Sequence, residues 1–584
     1  MIPNTELNKK TGNTKLQQRR QTLIQAFTSG QSPDFIHEHA RIFDAYFREQ
    51  YATSDVGPKT GPTRNPFAII ALGGYGRQEQ CVHSDIDLLF LFEKRVPKIA
   101  VDLVDEMLFP LWDLGVEVGH TTRSINDCVE EARSDLENFT AMLDARFICG
   151  MSPLFAKLES TLKNRILAKQ SDQIIHQLVV NNRRRHKRFG DSTHLLQPNL
   201  KEGHGGLRDY HTLLWVTHIN SRVRSRRDLE YRGCLSHDEF SSLEDTLAFI
   251  WQVRNHLHLL VGRKCDQLYF EHQEKLAQIM DVAPVNGEQP VERFLGELHG
   301  KMAWLKYLGD MFLYEHDREK STARTKASGS RAGHSGLVLE KGMLNFRSSE
   351  EIVGEPELLM KIFRDSARLN VPLTPEAKRL VREFSHLVDT GFRRSKSVLN
   401  AFERILVTPS GLFNVLNEML DTGFLIHFLP EFKNISNRIL YNAYHIYPVD
   451  RHSLRVVGTL KSFGTPDDIT GCQLCADLYK EIVNKKLLCW AALLHDIAKG
   501  DPEPHHADKG AVIAQKLLSE RGMSTKGIDT VTFLIRKHLF LIHTALRRDM
   551  QDEGRAFFCA RRRIGREGLM VVYGLSVGDS TARG

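Results

Sequence analysis

The sequence predicts an α+β, mostly helical chain: a small mixed sheet with a helical body in residues 1–345, followed by an all-α domain in residues 346–584. Three observations lead there. Two short apolar runs, Phe67–Leu72 and Asp85–Phe92, have the length of strands and are separated by glycine-rich turn sequence. Most of the remaining chain places Leu, Ile and Phe at helical spacing with charges on the other side. Between Glu319 and Gly336 the chain is rich in Ser, Lys, Arg, Gly and Thr and poor in apolar residues, which is linker composition. At 584 residues, one hydrophobic core is in any case too few.

Taken in order, helical patterning from Leu16 to Tyr51 gives way to the turn-rich stretch Asp55–Asn65, with Gly57, Pro58, Gly61 and Pro62. The first strand, Phe67–Leu72, stops at Gly73-Gly74, and the second, Asp85–Phe92, alternates in its first half. An amphipathic helix between Ile99 and Leu114 and a third strand at Val116–Thr122 complete the α+β part. From Ile125 to Tyr314 the pattern is helical, and everything after Glu355 reads as helices, so the sheet is expected only in the first part. The basic run Arg183–Arg188 would spread around a helix and be solvated.

Bulk properties exclude several classes. With 41% hydrophobic and 26% charged residues the chain has ordinary globular composition, not that of disorder. A net charge of +7 suits phosphate-bearing ligands without singling out nucleic acid as a partner. The start of the chain is polar and basic, and nowhere do eighteen apolar residues run together, so neither secretion nor membrane association is expected and a cytoplasmic location is. Nine unevenly spaced cysteines, including the Cys472/Cys475 pair, read as reduced thiols.

The first chemistry-bearing segment is Gly73-Gly-Tyr-Gly-Arg77 followed by Ser84-Asp-Ile-Asp87. Glycines after a strand let the backbone approach a triphosphate, because no Cβ blocks the way and N–H groups can donate to phosphate oxygens. Arg77 can add a charge-assisted contact. Asp85 and Asp87, two apart on a strand, project from one face and suit Mg²⁺, which would neutralise a triphosphate and orient its α-phosphate. This order of residues resembles the DNA-polymerase-β-like nucleotidyltransferase superfamily, whose third carboxylate usually comes from a later strand. Glu117, on the third strand, and Asp144, on a helix, are both candidates, and the sequence does not choose between them.

The second segment is His452, then Leu493-Leu-His-Asp-Ile-Ala-Lys499, then His506, His538 and Asp579. His495 and Asp496 end an apolar run, a costly place for two ionisable groups unless a metal holds them. Imidazole and carboxylate together suit Mn²⁺, Fe²⁺ or Zn²⁺ without fixing which. Lys499, three residues past Asp496, would reach a phosphate from the same side of a helix. The series resembles the HD phosphohydrolase superfamily, with His506 and His538 similar to the extra ligands of its two-metal members.

Flanking motifs narrow the family. Pro198-Asn-Leu-Lys-Glu-Gly-His-Gly-Gly-Leu-Arg-Asp209 resembles a signature of the bifunctional uridylyltransferase/uridylyl-removing enzymes of bacterial nitrogen control, with further echoes at Leu111–His120, Pro290–Arg293, Tyr444–Asp450 and Arg547–Asp552. The resemblance implies two activities: transfer of UMP from UTP to a tyrosine of the PII signal protein at Asp85 and Asp87, with Gly73, Gly74, Arg77 and Ser84 binding nucleotide, and its hydrolytic removal at the His/Asp set. The family's C-terminal ACT domains are expected to be absent, since the sequence ends at Gly584. Val82, where the family usually has Pro, and Gln78-Glu-Gln-Cys81 depart from the pattern but spare the ligands. A guanosine tetraphosphate synthetase/hydrolase would carry the hydrolase first, and a CCA-adding enzyme lacks the Gly-Gly-Leu-Arg-Asp segment. From another class, a pseudoenzyme binding PII or nucleotides without turnover is the alternative that intact ligands argue against.

Overall fold

The structure, a computed structural model, describes residues 4–32, 34–54, 66–189, 197–221, 223, 225–284, 288–322, 330–331, 336–340, 342–409, 414–439, 448–463, 473–500 and 505–539. The chain divides into two compact units, one of Met1–Asp191, Gln197–His272 and Trp304–Leu313, the other of Ser192–Leu196, Gln273–Ala303 and Tyr314–Gly584.

The first unit is built on a four-stranded sheet of order β3-β2-β1-β4, with β1 Phe67–Ala71, β2 Ile86–Phe92, β3 Val118–Ser124 and β4 Arg146–Gly150. β1 runs antiparallel to β2 and β4, while β2 and β3 are parallel, so the sheet is mixed as the sequence predicts. The near-continuous apolar runs have a simple cause: both faces are covered. Phe67, Ile69 and Ala71 of β1, with Ile86, Leu88, Phe90 and Phe92 of β2, pack against helices α1 Phe35–Thr53 and α2 Ala100–Asp113. Ala68 and Ile70, with Leu89 and Leu91, pack on the opposite face against α3 Leu136–Leu143, α4 Ala168–Phe189 and α5 Leu207–Ser221. Asp85 and Asp87 share the odd-numbered face of β2 with Leu89 and Leu91, so the sheet aims them toward this second layer.

β4 is an element that the helical reading of residues 125–314 passes over, and it moves Asp144 off a helix: the residue caps the end of α3, just before β4. In the second unit, strands Ser330–Arg331, Leu337–Glu340 and Met343–Phe346 form a three-stranded antiparallel sheet, a second sheet that the sequence does not announce. Leu337, Leu344 and Phe346 of that sheet join the core of the second unit.

The rest of the second unit is helical. Around one buried core it carries α6 Val449–Ser462, α7 Lys485–Leu494, α8 His506–Glu520 and α9 Thr525–Lys537, with Trp490 and Leu493 at the centre. The N-terminus of α9 is fixed by Ser524, whose hydroxyl accepts from Gly527 N. Cys81, Cys128, Cys149, Cys234, Cys265 and Cys489 are free thiols, whereas Cys475 is disulfide-bonded, contrary to the expectation of reduced cysteines throughout. No helix among the described residues is long and apolar enough to cross a membrane.

Candidate functional site

In the first unit a cavity of about 720 Å³ opens at the end of β1 and β2 and is lined by Gly73, Gly74, Arg77, Ser84, Asp85 and Asp87, and by Asp144, one of the two candidates for the third carboxylate. Gly73–Gly76 forms a single helical turn in which Gly73 takes a φ of 51°, open to glycine at little cost. A Cβ on Gly76 would stand 2.1 Å from the Asp144 carbonyl oxygen, so the turn sits against the end of α3 only because that position has no side chain. One on Gly119, across the parallel pairing from Asp87, would stand 2.7 Å from Asp87 Oδ1. Gly119 therefore makes the room the carboxylate occupies.

Asp85 and Asp87 differ in their surroundings. Partial burial opposes the Asp85 charge, but hydrogen bonds with Lys264 and Glu117 outweigh it and hold its carboxyl below the usual range. Glu117 is raised in turn, through its hydrogen bond with Asp85 and the negative charge beside it. Asp87 is raised first by the loss of water on its walled side and second by Asp85. Lys264 Nζ bonds Asp85 Oδ2, while Asp85 Oδ1 is buried with no hydrogen-bond partner. A hydrated-ion-sized cation fits this set: hard carboxylate oxygens, one of them orphaned, with a third acid beside them.

Of the two candidates for that third acid, the geometry favours Glu117. Its carbonyl accepts from Ile86 N at 3.0 Å, extending the β2–β3 ladder by one residue and setting Glu117 beside Asp85. Asp144 is already committed: Arg77 Nη1 and Trp215 Nε1 both donate to it. Burial pushes its carboxyl up to about 6 against the pull of Arg77. Arg77 is likewise engaged, by Asp144 and by Glu79 at 2.8 Å, and Glu79 also meets His211 at 2.9 Å. This buried network braces the pocket wall, and it includes Glu79 from the segment that departs from the family pattern. Ser84 lines the pocket with its hydroxyl 3.5 Å from Arg254 Nη1.

The run Arg183–Arg188, expected to be solvated, is only partly so. Arg185 is held by Asp209, Asn182 and the Glu202 carbonyl, and Arg184 and Arg188 line the cavity. The pocket therefore has a cationic wall to which Lys201, Arg208, Arg254 and Lys264 also contribute. Lys201, Lys264 and Gly119 carry no site signal in the sequence, although Lys201 lies in the Pro198–Asp209 motif and Gly119 in Leu111–His120.

The second unit gathers His452, His495, Asp496, His506 and His538. His452, His495 and Asp496 present ligand atoms within 4.8 Å of one another, as do Asp496, His506 and His538, so two triads share Asp496. His495 Nε2 lies 3.2 Å and His452 Nε2 3.9 Å from Asp496 Oδ2, and His506 and His538 lie 3.9 and 3.8 Å from Oδ1. The imidazoles are oriented from behind. His495 Nδ1 lies 2.8 Å from the Ala492 carbonyl and His538 Nδ1 2.7 Å from that of Ile535, which fixes the tautomer whose Nε2 lone pair faces Asp496. Burial opposes the Asp496 charge, but His495, Lys499 and His538 outweigh it and hold the carboxyl well below its usual range. Asp496 Oδ1 is buried without a hydrogen-bond partner, the position a bound cation would satisfy. Lys499 donates to Asp496 Oδ2 at 2.7 Å. Asp579 lies outside the described residues.

Comparison with known proteins finds four family models along the chain. Residues 17–113 match the model of a putative nucleotidyltransferase family (DUF294), 173–313 that of GlnD PII-uridylyltransferase, 338–428 that of the uridylyltransferase GlnD third domain and 449–564 that of the HD domain. Curated relatives include proteins named bifunctional uridylyltransferase/uridylyl-removing enzyme. That of Cereibacter sphaeroides is 33% identical over 85% of this chain and 54% of its own length, and that of Novosphingobium aromaticivorans 32% over 90% and 57%. The one from Azospirillum brasilense is 31% identical over 90% of this chain and 57% of its own length. The chain thus spans a little over half the length of the curated relatives it matches.

Proposed function

We propose, for a chain that belongs to the GlnD family through its uridylyltransferase, third-domain and HD segments, that it transfers UMP from UTP to a tyrosine of the PII signal protein and hydrolyses UMP from the modified protein. The observation that carries the reading is the presence of two chemically different sets of candidate ligands, Asp85 with Asp87 lining a cavity in one unit and the triads sharing Asp496 in the other. The transferase part is assigned to residues 1–345 and the removing part to 346–584, and the work to the cytoplasm, where UTP is at hand.

In transfer, the phenol oxygen bonds to the α-phosphorus as the bond to the β-phosphate oxygen breaks. Pyrophosphate leaves with that electron pair, and the phenol proton passes to a carboxylate of the pocket. Asp85, Asp87 and Glu117 would hold Mg²⁺, which supplies charge to offset that developing on the phosphates. Gly73 and Gly74 leave the backbone open to the phosphates, Ser84 lines their path, and Arg77 keeps the wall in place through Glu79 and Asp144. In removal, a water oxygen bonds to phosphorus and the phosphorus–phenol oxygen bond breaks, returning UMP and tyrosine. His452, His495, Asp496, His506, His538 and Asp579 would hold Mn²⁺, Fe²⁺ or Zn²⁺, which lowers the cost of forming hydroxide and polarises the phosphodiester. Lys499, which donates to Asp496, would meet a phosphate oxygen of the diester.

The test is incubation of the purified chain with labelled UTP, Mg²⁺ and a PII protein, followed by mass analysis of PII. Addition of UMP is the expected result. Addition of AMP would redirect the substrate, and unmodified PII would overturn the proposal.

A further inference from the structure

The Pro198–Asp209 motif touches none of the ligands named above, yet it is among the most tightly built segments of the first unit. Asn199 Oδ1 accepts from Lys201 N at 3.1 Å and Glu202 N at 2.7 Å, folding the chain into a turn closed by its own side chain. Leu207 N and Arg208 N return to the Leu200 and Lys201 carbonyls at 3.0 and 2.8 Å. The glycines allow this closeness: a Cβ on Gly203 would stand 2.6 Å from the Asn199 carbonyl oxygen, and one on Gly206 2.8 Å from that of Lys201. Asp209, almost fully buried, clamps the far end by accepting from Gly205 N at 2.7 Å and from Arg185, with His186 Nε2 at 2.8 Å.

What this frame holds out is Lys201. Its side chain lines the cavity that contains Asp85 and Asp87 and lies close enough to act electrostatically on both. Its ammonium makes no hydrogen bond or ion pair among the described residues, whereas Lys264 is bonded to Asp85 and Arg254 to Asp266 at 2.6 Å. The charges that bear most on Lys201 are positive, Arg254, Arg208 and Lys264, against the acids Asp266, Asp85 and Asp87. A largely buried cation set among cations, beside carboxylates that call for a metal, is a site made for a polyanion.

We propose that the motif is a rigid mount for Lys201, and that Lys201 binds the β- and γ-phosphates of the nucleotide, the part that leaves as pyrophosphate. This rests on the transferase reading above and adds to it the residue that receives the leaving group. Lys201 takes no part in bond making. It neutralises charge on the oxygen that gains the electron pair, and it holds the diphosphate in line with the acceptor.

Calorimetric titration with inorganic pyrophosphate, and separately with UMP, in the presence of Mn²⁺ tests this. Lys201→Met is expected to weaken pyrophosphate binding about 10- to 100-fold, the worth of one charge-assisted hydrogen bond, and to leave UMP binding nearly unchanged. Lys201→Arg is expected to restore most of the pyrophosphate affinity, which a merely misfolded loop would not do. Unchanged pyrophosphate binding in Lys201→Met would overturn the inference, as would equal losses for pyrophosphate and UMP. If the wild-type chain bound pyrophosphate with no dependence on Asp85 and Asp87, the transferase reading itself would fail, a result distinguishable from the others.

Discussion

The two ligand sets differ in what they offer a cation before it arrives. Asp496 is sealed, its side chain 1% exposed, and faces four imidazoles, two of them, His495 and His538, oriented by backbone carbonyls. Asp85 is 35% exposed, paired with a lysine side chain that is itself 36% exposed and crowded by two other acids, Asp87 and Glu117, both raised in pKa. The lesson is one of ownership: a buried set of nitrogen ligands around one carboxylate held below its usual range suits a resident ion, while an open set of competing carboxylates suits an ion that comes with a polyphosphate. On the proposed function, the same contrast would separate hydrolysis, which needs only water and a diester, from transfer, which must admit a triphosphate each turnover.

The largest expected effect breaks the comparison in half. Asp85→Ala with Asp87→Ala is expected to reduce UMP transfer to background and spare hydrolysis of UMP from PII, and His495→Ala with Asp496→Ala is expected to do the reverse, both read on the same PII substrate. One double variant losing both activities would show that the two sets do not act separately. Next in size is Asp209→Ala. It leaves Arg185 and His186 facing an emptied buried site, and breaking such a pair costs about 3 kcal/mol or more. Denaturant unfolding is expected to show the loss in the transition of the first unit, with the hydrolytic activity of the second persisting to the wild-type denaturant concentration.

Gly119→Ala is smaller and sharper. Its new Cβ would sit 2.7 Å from Asp87 Oδ1, and since the carboxylate gives way more easily than the strands, the ligand moves. A shift of this kind near reacting atoms costs about 10²-fold in rate, so transfer is expected to fall by that order with no change in hydrolysis or thermal stability. Retention of full transfer would show that Asp87 does not need its present position.

The contrast between the units also explains what could be read from sequence. The Asp85/Asp87 pair was legible because a strand's period of two leaves no choice of face, and His495-Asp496 because an apolar run rarely ends in two ionisable groups. β4 was not legible: its five residues follow α3 directly and become a strand only by pairing with β1, far away in the chain. The strands around Leu337 and Met343 were hidden by their neighbours' linker composition, although Leu337, Leu344 and Phe346 supply the buried contacts. Arg77 was read as a phosphate contact because its partners, Glu79, Asp144 and His211, converge only in the fold. Lys264 stands 179 residues from Asp85, and no local spacing announces that bond.

The smallest effect lies in pH. Burial, then the charges of Arg254, Arg208 and Lys264, lower the Lys201 ammonium to about 8, with Asp266 pulling the other way. Below that pH the group is charged and can hold a diphosphate; above it the proton is lost, and affinity is expected to fall by up to about tenfold per pH unit until the contribution of Lys201 is gone. The ligand titrates too, so the comparison must be with Lys201→Arg, which meets the same ligand but keeps its charge throughout. The ratio of wild-type to Arg-variant affinity is expected to be flat below pH 8 and to decline above it. Because a bound anion favours the ammonium, wild-type binding just above that pH must draw a proton from solution, so its measured heat should change with the ionisation enthalpy of the buffer while that of the variant does so less. A ratio that stays flat through pH 8 would mean that Lys201 titrates elsewhere or does not face the diphosphate, and the open site would then owe its polyphosphate affinity to Arg184, Arg188 and Arg208 instead.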